Sequence, residues 1–188
     1  FRRHIVELGK TGFTFIYDEL EAEEPVTWSY LLHTVTNPMN VNMVNEFVHV
    51  QATSKNGISD AYLLGSDELK TDTTSQFFTP ATNWLRADDK GNFKKYPNHW
   101  HFTATSGKHK VYRFVTIINT HINKTTPDKP FAVPQRLKDG SIKMGSWIIK
   151  AIVSSEGKPS FDVRFPRPQY DAAVTYDGDV TVVREDGY

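Results

Sequence analysis

Apolar and polar positions alternate with a period of two along much of this chain. In residues 26–34, Val26, Trp28, Tyr30 and Leu32 share one face while Thr27, Ser29, Leu31 and His33 share the other, as in a strand with one buried side. Similar runs cover 13–17, 44–53, 111–119, 142–153 and 161–165. Near the end, Val174-Thr175-Tyr176 and Val180-Thr181-Val182-Val183 flank Asp177-Gly178-Asp179, which predicts a hairpin because glycine tolerates positive φ. Two runs are apolar on both faces. Val115 and Ile117 oppose Tyr112, Phe114 and Ile118, and 147–153 reads alike; both are expected as central strands covered on each side. Residues 18–24 hold helix-forming side chains, but Pro25 closes the run before a stable helix could develop. The stretch 64–98 is weakest in regular pattern and is expected to form long loops. The prediction is an all-β fold, an antiparallel β-sandwich of two stacked sheets with long loops, spanning 1–188 as a single domain.

Composition narrows the function classes. The chain has 188 residues, 38% hydrophobic and 23% charged, the balance of an ordered domain. No apolar run is long enough for a helical membrane span. With no cysteine, disulfides, thiolate metal sites and a cysteine nucleophile are excluded. Lys+Arg and Asp+Glu are both 22, which with the lack of a recognition motif speaks against a nucleic-acid partner. Charge is unevenly placed, however. Residues 1–89 carry 13 acids against 6 Lys/Arg, whereas 90–127 has no acid and 7 Lys/Arg. This basic stretch reads either as a strand pair whose cations face the acidic first half, or as a surface for a polyanion with aromatic rings stacking on sugars. On the second reading Lys94, Lys95, His99, Trp100, His101 and Arg113 are the substrate-binding candidates.

Motifs for chemistry are sparse. His99 and His101 stand two apart and would share a strand face, enough to bring two imidazoles to one ion, although surface histidines are more often solvated. His33 ends an alternating strand beside Leu31 and Leu32, the setting of a core histidine satisfied by a backbone carbonyl. No nucleophile elbow, phosphate-binding glycine loop or His-Glu-x-x-His run occurs. Asp18, Glu19, Glu21, Glu23 and Glu24 crowd together, which calls for solvent or a basic partner. Nothing selects a pair of catalytic carboxylates.

One resemblance is carried by three runs. They are Arg3-His4-Ile5-Val6-Glu7-Leu8, then Phe13-Thr14-Phe15-Ile16-Tyr17-Asp18-Glu19-Leu20-Glu21-Ala22, then Pro25-Val26-Thr27-Trp28-Ser29-Tyr30-Leu31-Leu32-His33-Thr34. Together they resemble the β-rich part that follows the helical toroid in heparinase II/III-like polysaccharide lyases. Trp100-His101-Phe102-Thr103 and Arg113-Phe114-Val115-Thr116-Ile117-Ile118 are similar to two later strands of those proteins. The resemblance implies a bacterial lyase that cleaves uronic-acid polysaccharide, including glycosaminoglycans, by β-elimination, located in the periplasm or outside the cell. It also implies that the catalytic groups lie on a helical domain N-terminal to this stretch, so the chain, strand-like from Phe1 and without an initiating Met, is expected to be an inactive piece of a longer protein. His33 then corresponds to a histidine that helps hold zinc, or another divalent cation, in the full-length protein, while the piece itself needs none. The partners expected are an acidic polysaccharide and that helical domain. The other reading is a carbohydrate-binding or purely structural sandwich module.

Overall fold

The acidic run that looked too short for a helix is the middle of a very long strand. A computed structural model describes residues 1–8, 12–35, 37–76, 86–87, 89–94, 99–122, 132–167 and 170–186. The strands are β1 (Arg2–Glu7), β2 (Phe13–Thr34), β3 (Asn40–Val44), β4 (Phe47–Thr53), β5 (Gly57–Gly65), β6 (Lys70–Thr74), β7 (Arg86–Ala87), β8 (Phe93–Lys94), β9 (Trp100–Ile122), β10 (Gln135–Arg136), β11 (Ile142–Met144), β12 (Trp147–Ala151), β13 (Phe161–Arg167), β14 (Tyr170–Tyr176) and β15 (Thr181–Asp186). No helix occurs among the described residues. Asp18 and Glu19 suit an extended strand because their charges are met across the sheet: Arg3 on β1 grips Asp18 through Nε and Nη2 at 2.6 and 2.8 Å, and His4 meets Glu19 at 3.0 Å.

The fold is all-β, with two antiparallel sheets stacked as a sandwich. The first runs β1-β2-β9-β5-β4-β3, with β6 also paired to β9; the second is a meander, β10 to β15 in sequence order. Alternation decides what lies between them. Phe15 and Tyr17 of β2, Val115 and Ile117 of β9, and Tyr62 and Leu64 of β5 point into a core completed by Ile142, Met144, Ile149, Phe161 and Val163 of the second sheet. The hairpin expected around Gly178 is the β14–β15 turn, where Gly178 takes φ 93° and Asp177 Oδ1 accepts the amides of Asp179 and Val180.

The first sheet folds over on itself. Tyr30 on β2 is registered with Ala104 on β9, and at about 3.3 Å per residue a straight β9 would carry Phe114 roughly 33 Å away. Instead the Tyr30 and Phe114 rings lie 5.5 Å apart. The bend falls at two register shifts in the β2–β9 ladder, between Glu21 and Val26 and between Thr27 and Ser29, the bulges by which strands turn corners. Pro25 lies inside the first bulge, where its missing N–H costs no ladder bond. Beyond the corner, the ends of β2 and β9 and all of β6 cover the far face of the same sheet, and Tyr30, Phe102 and Ala104 join Val48, Val50, Leu63, Tyr112 and Phe114 in a second core. The expectation for 111–118 therefore holds: both faces of this part of β9 are buried. For 147–153 it does not. Trp147 and Ile149 are buried, but Ile148 is half-buried, Lys150 exposed and Ile152 42% exposed, because no third layer among the described residues covers the outer side of the second sheet.

Candidate functional site

At the far end of the folded-over ribbon, the ladder register places His33 of β2 directly opposite His101 of β9. Their rings meet edge to face with centroids 4.7 Å apart. His99, two residues back along the chain, is exposed, as is His33, while His101 is half-buried. Burial, followed by the nearby His33 and His99, holds the His101 imidazole below its ordinary range, which favours the uncharged, metal-binding form. Ser29, Leu31, Thr103 and Thr105 share this outward face by alternation. Trp100 takes the opposite one and packs against the second core, so it does not join His99 and His101 in a single surface. His33, expected in the core, is exposed because the described residues cover the ribbon on one side only.

The basic segment is dispersed rather than gathered into a wall. Arg113 is 3% exposed and points between the sheets, where Nη1 donates to the carbonyls of Ser154 and Glu156 and Nη2 to that of Gly157. It is a cross-sheet pin and not a surface cation. Asp67 meets His109 at 2.7 Å, and Glu24 meets Lys110 at 3.9 Å. Both pairings set the basic segment against acids of the first half. Lys94 lies in β8, its side chain outside the described residues, and Lys95 also lies outside them.

Two polar constellations have no signal in linear spacing. Asp60 of β5 is 3% exposed, and its carboxylate accepts from His49 and Gln51 of β4 at 2.8 and 2.9 Å and from His121 of β9 at 3.2 Å. Burial pushes this carboxyl up, but those three hydrogen bonds outweigh it and hold Asp60 below the usual carboxylate range. His49 also stacks on Tyr62, centroids 4.6 Å apart, and its Nδ1 lies 2.8 Å from Asn42 Oδ1. The second constellation staples the corner. Asp67 accepts from the buried Tyr112 hydroxyl at 2.6 Å as well as from His109, and Trp28 Nε1 donates to the His109 carbonyl at 3.1 Å. Burial and the neighbouring Asp67 raise the Tyr112 hydroxyl well above the ordinary phenol range.

Against a metal, the donor set is partial. His33 and His101 offer two imidazoles, whereas a structural zinc site takes four ligands. Among the described residues no group of three His, Cys, Asp or Glu is placed to share an ion. No family model matches the chain, nor does any curated protein. No helix among the described residues is long and apolar enough to cross a membrane.

Proposed function

We propose that the chain is the β-sandwich portion of a heparinase II/III-like polysaccharide lyase, contributing one wall of a groove for a uronic-acid polysaccharide while a separate helical domain supplies bond cleavage by β-elimination. The observation that supports this best is the pair of imidazoles at the end of β2 and β9, with His33 exposed and His101 half-buried. The histidine that closes the Leu-Leu-His run faces outward and meets His101 across the ladder, instead of being sealed in the core. An outward His33 at a sheet end, backed by His101, suits a metal shared with another part of a larger protein, zinc or a similar divalent ion, with His33 as one ligand and further ligands from outside the described residues. Removing a proton beside a carboxylate builds negative charge, and a nearby cation lowers that cost. The full-length protein is then placed in the periplasm or outside the cell, where such polysaccharides are met. Titrating Zn(II) into the protein while recording histidine side-chain resonances tests the metal assignment. His33 and His101 signals should move together and the response should vanish in His33→Ala; a response confined to other histidines removes His33 from the metal site.

A further inference from the structure

The first sheet ends on an open edge whose sequence complements itself. Among the described residues β1 pairs with β2 alone. Its ladder runs from Arg2↔Glu19 to Glu7↔Thr14 without a register shift, and one step further Leu8 N donates to the Phe13 carbonyl at 2.9 Å. Opposed pairs in an antiparallel ladder alternate between exchanging hydrogen bonds and not, so Leu8, Val6, His4 and Arg2 turn their backbone groups toward β2. The N–H and C=O groups of Arg3, Ile5 and Glu7 point the other way, out of the edge of the sheet. Such an edge is ordinarily blunted by proline, lysine or a bulge. β1 has none of the three. At its middle stands Ile5, 60% exposed, with Arg3 two residues before it and Glu7 two residues after.

We infer that β1 pairs antiparallel with β1 of a second copy of this chain, about a two-fold axis through Ile5, so that the two first sheets join into one. A two-fold axis perpendicular to the sheet brings the same face of each strand together. Centred on Ile5, it sets Ile5 against its copy and Arg3 against Glu7, the latter pair twice by symmetry. These are the residues whose backbone groups face the edge, so each opposed pair can exchange two hydrogen bonds. The side chains agree with the backbone: apolar meets apolar at the axis and opposite charges flank it, a favourable set of cross-strand neighbours. Arg3 holds Asp18 through Nε and Nη2, which leaves Nη1 for Glu7 of the second copy, and Glu7 is exposed. Behind the edge, Asp18 and Glu19 of β2 offset the charges of Arg3 and Arg2, so two such strands do not repel. Moving the axis one residue, to His4, sets Arg3 against Ile5 and loses both ion pairs. The open edge at β15 lacks them too. There Asp177 N donates to the Val180 carbonyl at 3.4 Å, which by the same alternation turns Thr181, Val183 and Glu185 outward, and an axis through Val183 sets Glu185 against Thr181.

The test is sedimentation velocity of the chain over a wide range of concentration. One strand pair buries less than a standard interface, so the dimer should be weak, half-formed at about 100 µM. Ile5→Pro removes the amide that would donate across the axis; that amide takes no part in the β1–β2 ladder, so the fold should tolerate the change. Ile5→Lys instead places two like charges face to face at the axis. Each variant should raise the dissociation constant about tenfold or more, and Glu7→Lys should raise it in the same direction. A circular-dichroism spectrum and urea midpoint close to the parent's show that a variant is folded, and one folded variant of Ile5 is enough to decide. Val183→Lys on β15 should leave association unchanged. A parent that stays monomeric up to about 1 mM, a dimer indifferent to the folded Ile5 variants, or a dimer lost in Val183→Lys overturns the pairing. None of these results bears on the polysaccharide reading, from which the pairing is independent.

Discussion

Methionine in place of Arg113 separates a structural cation from a ligand-binding one. The guanidinium reaches three carbonyls, those of Ser154, Glu156 and Gly157, in the connection between β12 and β13. Charged hydrogen bonds contribute about 1.5–3 kcal/mol each, but Ser154, Glu156 and Gly157 are exposed and their carbonyls can turn to water once the partner is gone. Methionine keeps most of the apolar contact of the arginine stem. The loss then corresponds to one or two such bonds, about 3 kcal/mol. At about 2–4 °C per kcal/mol for a domain of this size, the melting temperature should fall by roughly 6–12 °C, and the urea midpoint should fall with an unchanged slope. Arg113→Lys should recover little, since an ammonium cannot span the same set of acceptors. Affinity of the folded variant for acidic glycan should not change. Parent-like melting together with lost glycan binding would refute the pin and return Arg113 to the ligand surface.

Other outcomes follow from the same geometry. Asp60 is held below the ordinary carboxylate range in the folded protein, so its contribution is present above the unfolded-state value near pH 4 and lost as pH falls through the lower folded value. Asp60→Asn should therefore be less stable at neutral pH and show a flatter decline on acidification, read by urea unfolding across pH 2–7. At Gly65 an added Cβ would stand 2.2 Å from the Tyr112 hydroxyl, so Gly65→Ala should cost about 1–3 kcal/mol by overpacking. Removing that hydroxyl in Tyr112→Phe relieves the clash, and the double variant should be more stable than the sum of the single losses predicts; strict additivity would show that the contact is absent. Gly178→Ala should destabilise the β14–β15 turn by about 1 kcal/mol, because alanine resists φ 93°, measured by thermal melting.

Much of the fold is legible in the chain. The alternation in 28–34, the two-sided burial of 111–118 and the Asp177-Gly178-Asp179 turn each report a local rule that packing did not override, whereas Val26, placed by alternation on the buried face, is 38% exposed beside the register shifts of the bend. The ribbon's fold-over is not legible, because it depends on where the β2 and β9 registers slip and on Tyr30 finding Phe114, a contact made only after the bend. The site was less visible still. Arg113 between Tyr112 and Phe114 has the outward look of a cation on a basic segment, and only its position between two aromatic residues of a strand buried on both sides hints that it points inward. Asp60, His49 and His121 come from three strands and meet only through register.

The central claim is that this sandwich holds an acidic polysaccharide without cutting it. The most direct measurement records both at once: the protein is mixed at low salt with a uronic-acid polysaccharide, bound ligand is determined by equilibrium dialysis, and ultraviolet absorbance follows the unsaturated uronate that β-elimination would release. The account predicts salt-sensitive binding with flat absorbance. Rising absorbance from this chain alone, or no binding at low salt, would contradict it.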